Sequence, residues 1–271
     1  MIDLHTSHGA GAPVWLPTLL ALLCVAVYLG CVVRSTRPWP ARRTLCWLLG
    51  TAAALAATTG ALAESAEDDF VAHMTIHLLL GMIAPLLLVL AAPVTLLLRT
   101  LPVGPARRVS RVLTSLPVRV LTEPVVAAVL AVGGLWLLYT TPLYSELHHS
   151  PALHLVVHLH MLVAGYLFTV AMISVDPLPH RRGYLHRGIV LGAALAAHDV
   201  LAKHLYVHPP AGVSASTGES AAMVMYYGGD LVDVVIMVIL CLGWYRATGR
   251  RLPGRTPAPT LRGVRCSASA T

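Results

Sequence analysis

The chain has 271 residues, of which 56% are hydrophobic and only 11% charged, and its formal net charge is +7. This composition excludes an ordinary soluble domain and is typical of a polytopic membrane protein. We expect the lipid bilayer as its surroundings and no nucleic acid as a partner. The first residues lack the basic region of a signal peptide, so the first apolar run is predicted to remain as a helix.

Seven apolar runs follow one another along the chain, and each is long enough, or nearly so, to cross a bilayer. They predict an all-α, seven-transmembrane helix bundle. We expect a single membrane domain over 14–244, an extracytoplasmic N-terminus over 1–13 and a basic, disordered tail over 245–271. The runs lie at about 14–33, 45–63, 71–98, 124–141, 154–174, 187–207 and 221–244.

Basic residues alternate sharply with the predicted spans. Every arginine falls on one side of a seven-span arrangement, and most acidic loop residues fall on the other. By the positive-inside rule, this predicts a multi-pass protein of the plasma membrane with its N-terminus outside and its C-terminus in the cytoplasm. The arginines are Arg34, Arg37, Arg42, Arg43, Arg99, Arg107, Arg108, Arg111, Arg119, Arg181, Arg182, Arg187, Arg246, Arg250, Arg251, Arg255, Arg262 and Arg265.

The third run, HMTIHLLLGMIAPLLLVLAAPVTLLLR (73–99), has no charged residue before its closing arginine. As a helix it would be about 40 Å long, more than the ~30 Å hydrocarbon core of a bilayer. Tilt, an interfacial first turn, or kinks at Pro85 and Pro93 are therefore expected to absorb the excess length.

Histidines are concentrated toward the predicted outer side. Three pairs are four residues apart and so share a helix face, while one further histidine lies near mid-membrane. A single histidine at headgroup depth is ordinarily just solvated, but three pairs at one depth favour a metal site. The predicted ligands are His73, His77, His154, His158, His198, His204 and Asp230, with Met74, Met223 and Met225 as additional soft ligands.

Imidazole combined with thioether suits copper(I), which is the first candidate cofactor. Zinc would suit imidazoles with a carboxylate, and haem iron would use two axial histidines. The residue types alone leave these alternatives open. His160 lies about 200° round the helix from His158 and is expected to pack or hydrogen-bond rather than bind metal.

Four charged residues fall inside the last two spans: Asp199 and Lys203 in span six, and Asp230 and Asp233 in span seven. Charges at this depth are costly and are usually paired or functional. They predict an intramembrane charge network. One role is an ion pair, within span six or between Lys203 and a span-seven aspartate, that fixes how the helices dock. The other is a proton path or a carboxylate ligand near the metal site. Gly228 and Gly229 beside Asp230 favour a close helix approach.

Together these stretches resemble the seven-helix CtaG family of cytochrome c oxidase assembly factors. The segments that carry the resemblance are the third run, TTPLY (140–144), HLVVHLHMLVAGYLF (154–168), the DPLP turn (176–179) and YYGGDL (226–231). The resemblance implies maturation of the copper centres of a haem–copper oxidase, with an oxidase subunit as the partner. Carried over by position, it points to His73, His77, His154, His158, His198 and Asp230. Span six departs from the pattern at Asp199 and Lys203.

The leading hypothesis is an assembly factor that binds copper on the outer side and helps to metallate an oxidase subunit. We expect no catalytic turnover, because no nucleophile–base pair, phosphate-binding glycine loop or paired-carboxylate pattern is present. The alternatives are a copper or proton transporter and a haem-binding protein with histidines facing across spans three and five. The apolar run Val234–Leu242 argues against a polar path through the bundle and so disfavours the transporter.

Overall fold

The computed structural model describes residues 15–147, 149–173, 175–177 and 180–249. The predicted N-terminal segment 1–13 and the tail from 250 onward lie outside the described residues. Every element within the described residues is a helix, which confirms the all-α prediction. The helices are α1 (Trp15–Arg34), α2 (Ala41–Thr58), α3 (Ala61–Ser65), α4 (Phe70–Leu78), α5 (Ala84–Leu90), α6 (Pro93–Thr100), α7 (Val103–Leu113), α8 (Leu116–Leu121), α9 (Pro124–Ala128), α10 (Gly134–Thr140), α11 (Leu143–Leu147), α12 (Pro151–Ile173), α13 (Tyr184–Val207) and α14 (Ala215–Gly249).

Five of the helical stretches in the described part of the chain are long and apolar enough to cross a membrane: α1, the stretch Phe70–Thr100, α12, α13 and α14. The other two predicted spans are shorter or less apolar. Helix α2 has 18 residues and carries Arg42 and Arg43 in its first turn. The apolar stretch Pro124–Thr140 is shorter, at 17 residues. The chain is thus a helical membrane protein, while the count of seven spans and the orientation of its termini stay predictions.

The long third run is interrupted at both of its prolines. Pro85 has no N–H to offer the carbonyl of Gly81, and the helix widens there into a π-helical turn over Leu79–Ile83. At Ala92 the backbone turns left-handed, with φ 51°, and α6 then starts at Pro93. The regular α-helix is therefore altered beside Pro85 and interrupted before Pro93, the two positions where kinks were among the expected ways to absorb the excess length. A second π-helical turn, Val129–Gly133, joins α9 to α10.

Asp176, from the DPLP turn, ties the end of α12 to the start of α6. Its carboxylate accepts hydrogen bonds from the Thr95 amide at 2.7 Å, the Thr95 hydroxyl at 2.6 Å and the Val94 amide at 3.2 Å. These amides belong to the first turn of α6, where N–H groups have no partner within the helix. Nearby, the buried Arg187 donates to the Met172 carbonyl at 2.6 Å in the last turn of α12.

Glu123 joins α9 to α13 at the same end of the bundle. One carboxylate oxygen accepts from the Val125 and Val126 amides at 2.8 and 3.1 Å, and the other lies 3.2 Å from His186 Nε2 and 3.7 Å from Arg182 Nε. Partial burial raises the pKa of Glu123. The hydrogen bonds from the two amides and from His186 outweigh that effect and leave the pKa below its usual value.

The interior consists of two main apolar clusters, one above the other along the bundle. The first contains residues such as Met74 of α4, Leu201 of α13 and Met225 of α14. The second contains Ala194 of α13 and Val232 of α14. Polar side chains of α4, α13 and α14 lie between the two clusters, in the middle of the bundle. Helix α14 itself continues to Gly249, five residues past the expected end of the membrane domain.

Candidate functional site

Two histidines from different helices meet at the level between the two apolar clusters. His77, in the last turn of α4, is 2% exposed, and His198, in the middle of α13, is 4% exposed. The centroids of their rings are 6.1 Å apart and the ring planes differ by 26°. The structure thus pairs span three with span six, rather than with span five as the haem hypothesis supposed.

Both imidazoles lack a hydrogen-bond partner among the described residues. Nδ1 and Nε2 of His77 and of His198 are all buried, and none of the four nitrogens bonds to a group in the part of the chain that the structure describes. Buried polar atoms are nearly always paired, and an orphaned one costs about 1–3 kcal/mol. Four of them on two neighbouring rings make this pair the candidate binding site of the bundle.

Glycines of α14 make room for this arrangement. A Cβ atom on Gly229 would lie only 2.5 Å from Cε1 of His198, and one on Gly228 would collide with the Leu78 side chain. The close helix approach predicted at Gly228 and Gly229 is therefore confirmed. On the other side, the His77 ring lies 3.4 Å from where a Gly81 Cβ would stand.

The histidine pair opens onto a cavity of about 620 Å³. His77, His198, His160 and Asp233 are the polar side chains among its described lining residues, and the remainder are apolar. Asp233 is 3% exposed and faces the cavity from α14. His160 Nε2 lies 3.0 Å from the Leu130 carbonyl in the second π-helical turn. This contact agrees with the hydrogen-bonding role expected for His160.

His73 lies one turn before His77 in an aromatic environment that sequence reasoning missed. Its Nε2 is 3.2 Å from the Tyr139 hydroxyl, and its ring packs edge-on against Tyr144 with centroids 5.1 Å apart. Burial, and secondarily the charge of Asp69, raise the pKa of Tyr144 to about 12. The sequence signal for these aromatic residues is TTPLY (140–144), which was interpreted only as a turn.

The other predicted histidine ligands form separate pairs. His154 and His158 of α12 have ring centroids 4.1 Å apart, and the former is exposed while the latter is buried. His204 stacks on His208 at 4.9 Å and on Trp136 at 6.2 Å. No group of three or more histidine, cysteine, aspartate or glutamate side chains that could hold a metal ion occurs among the described residues. The seven predicted ligands are thus not gathered into one cluster.

The predicted sulfur ligands differ in their surroundings. Met74 and Met225 are completely buried in the first apolar cluster; Met74 stands three residues before His77, and Met225 four residues before Gly229, which packs against His198. Met223 is 45% exposed on the outer surface of α14. The structure therefore leaves Met74 and Met225 near the pair and does not bring Met223 to it.

The charge network is arranged differently from a simple ion pair. The carboxyl groups of Asp199, Asp230 and Asp233 lie near one another where α13 packs against α14, and Oδ1 of Asp199 is buried without a hydrogen-bond partner among the described residues. Lys203 is exposed, and its ammonium group lies 5.2 Å from the centre of the Tyr226 ring. Among the described residues, the ion pairs within 4.0 Å are those of Glu123, so Lys203 does not form the expected close pair with an aspartate.

Fold and site together define a helical membrane protein with a buried, unpartnered histidine pair in the middle of its bundle. The family model described as cytochrome c oxidase caa3 assembly factor (Caa3_CtaG) matches residues 26–247. The chain belongs to this family, and the resemblance seen in its sequence is confirmed.

Relatives with significant similarity include uncharacterized proteins of three mycobacteria. The chain is 34% identical over 174 residues to one from Mycobacterium leprae, and 36% identical over 172 residues to those from Mycobacterium bovis and Mycobacterium tuberculosis. The match covers about 61–62% of this chain but only 26% of each relative, so this chain corresponds to about a quarter of their length. No solved structure shows a significant match.

Proposed function

We propose that this member of the oxidase assembly family carries copper on the outer side of the plasma membrane and helps to metallate a subunit of a haem–copper oxidase. The observation that supports the proposal is the facing pair His77 and His198, whose four buried ring nitrogens have no partner within the described part of the chain. The family membership supports an oxidase as the client.

The separation of the rings suits a shared metal ion. An ion bonded at about 2 Å to one nitrogen of each ring would hold the ring centres about 6 Å apart, close to the observed separation. Imidazole nitrogens are good ligands for copper, and the buried thioethers of Met74 and Met225 make the surroundings soft. Two protein ligands leave the remaining coordination positions of the ion open. A ligand from the client subunit can bind there and then displace the two histidines one at a time.

The more exposed pairs give copper a route to this site. His154 lies in the first turn of α12, and His204 and His208 lie at the end of α13. We infer that His154 and His158 contact copper before it reaches the buried pair. Under this proposal Asp230 and Asp233 hold charge beside the site, and the role of the protein is delivery rather than turnover.

The proposal is tested by copper(I) titration of the purified full chain against a competing chelator. We expect one tightly bound copper ion in the wild type, and its loss when His77 and His198 are both replaced by leucine. His149→Ala, at an exposed loop residue, removes a histidine elsewhere and should leave copper binding unchanged. Equal copper affinity in the double variant and the wild type would refute the assignment.

A second test uses two glycine variants, one of which displaces the His198 ring without removing it. Gly229→Ala places a methyl group against His198 and should weaken copper(I) binding by about tenfold, a loss of ~1.4 kcal/mol. Gly192→Ala on α13 meets open space and serves as its control. In cells, the copper content of the oxidase should likewise be lower with Gly229→Ala than with Gly192→Ala. A Soret band in the purified wild type would instead favour the haem-binding alternative.

A further inference from the structure

The cavity beside the histidine pair is much larger than a metal ion requires. Its volume of about 620 Å³ lies within the range of ~300–1,000 Å³ that is usual for small-molecule sites. Apolar walls with a few converging polar groups are also typical of such sites. Here the converging groups are His77, His198 and Asp233, all of them buried.

The mouth of the cavity faces the lipid. Val129, Leu137 and Val156 line the cavity and are 63%, 58% and 61% exposed on the outside of the bundle. In a membrane protein these exposed apolar side chains contact acyl chains rather than water. A ligand would therefore enter sideways from the bilayer, with an apolar chain between these residues and its polar end near the histidines.

The polar end of that ligand must be uncharged and must carry oxygen. No lysine or arginine is found among the described lining residues, so nothing there neutralises a phosphate group. The carboxylate of a fatty acid likewise meets no lysine or arginine among these described residues. A neutral imidazole offers one donor and one acceptor, so the pair can bind either a carbonyl or a hydroxyl oxygen.

We propose that this cavity binds an isoprenoid quinone or quinol. The oxygen atoms of the ring would bond to His77 and His198, and the isoprenoid chain would lie along the apolar wall toward Val129 and Val156. The site does not depend on the copper proposal, although the two share the imidazoles. Its test therefore changes the wall of the cavity and leaves both histidines in place.

The probe is decylubiquinone, added to the purified full chain and followed by quenching of tryptophan fluorescence, since Trp136 lies between the lining residues Leu135 and Leu137. Ala194 lines the cavity and is buried, whereas its neighbour Ala193 is exposed on the lipid face. Saturable binding is expected in the wild type and in Ala193→Leu, with at least tenfold weaker binding in Ala194→Leu. Copper(I) affinity, measured on the same samples, should be equal in the two variants.

A second matched pair covers the case in which Ala194→Leu does not fold. Val157→Phe fills the cavity from α12, and Leu155→Phe adds a ring at an exposed position on the same helix. Oleic acid and phosphatidylglycerol serve as competitors and should not displace the probe. Non-saturable quenching, equal affinity in the members of a pair, or displacement by either lipid would overturn the quinone proposal while leaving the copper proposal untouched.

Discussion

At the scale of single residues, the main feature is a pair of imidazoles that the fold buries without satisfying. His77 and His198 have all four ring nitrogens in the interior, and no group of residues 15–147, 149–173, 175–177 or 180–249 forms a hydrogen bond to them. Structural histidines normally have at least one partner, as His73 has with Tyr139 and His160 with the Leu130 carbonyl. The contrast separates the histidines that bond within the fold, one of them on α4 beside His77, from the pair that has no partner among the described residues.

This contrast predicts that removing the two imidazoles would abolish ligand binding without lowering the stability of the fold. Replacing buried polar groups by apolar ones of similar size is nearly neutral or stabilising when the polar atoms were unpaired. We expect the His77→Leu/His198→Leu variant to be as stable as the wild type, or up to about 2 kcal/mol more stable, in metal-free buffer. The melting temperature in detergent measures this. A clearly lower Tm would mean that the two rings hold the bundle together.

At the scale of elements, polar side chains at helix ends decide how the helices are joined. Asp176 binds the first amides of α6, and Glu123 binds those of α9 while also contacting His186 at the start of α13. These caps satisfy N–H groups that no helix can satisfy by itself. They keep one end of the bundle fixed, while the π-helical turns adjust the helices around the cavity.

The cap at Glu123 gives a dependence on pH with a definite sign. Its pKa is lowered in the folded protein from an ordinary value of 4.5, so its contribution to stability is present above that pH and is lost as the pH falls through the folded value. Glu123→Gln should cost about 1 kcal/mol at pH 7. The difference in Tm between variant and wild type should shrink at pH 4. A difference that is the same at both pH values would show that the charge is not what stabilises this junction.

At the scale of the whole molecule, the orientation of the bundle decides from which side of the membrane the proposed copper site is reached. The arginines follow the positive-inside rule only if Ser110 lies in the cytoplasm and Ser145 lies outside. Both serines are exposed, in α7 and α11. These positions therefore report on the two sides of the membrane.

Single cysteines at these serines, in a chain whose native cysteines are replaced by alanine, test the orientation. In intact cells an impermeant maleimide should label Ser145→Cys and should leave Ser110→Cys unlabelled until the membrane is permeabilised. Labelling in the opposite order would place the His154–His158 pair on the cytoplasmic side. It would thereby remove the basis for delivery to copper centres from outside.

Much of the architecture follows from local properties of the sequence. Long apolar runs must become helices in lipid, because every backbone group there needs an internal partner. Pro85 and Pro93 interrupt the third run because each lacks an N–H, and Gly228 and Gly229 admit close neighbours because they lack a Cβ. The family resemblance could also be recognised from the sequence, because its motifs are local segments in a fixed order.

Which side chains meet was decided by the tertiary structure. The spacing of four residues put His73 and His77 on one helix face, but the pair that forms joins His77 to His198, 121 positions further along the chain. Helix rotation and the close approach at Gly229 select that partner, and neither can be derived from the period of a single helix. The same reason separates Lys203 from the aspartates and brings the π-helical turns to one cavity. The sequence by itself determined the helices and their breaks, whereas only packing between helices decided the site.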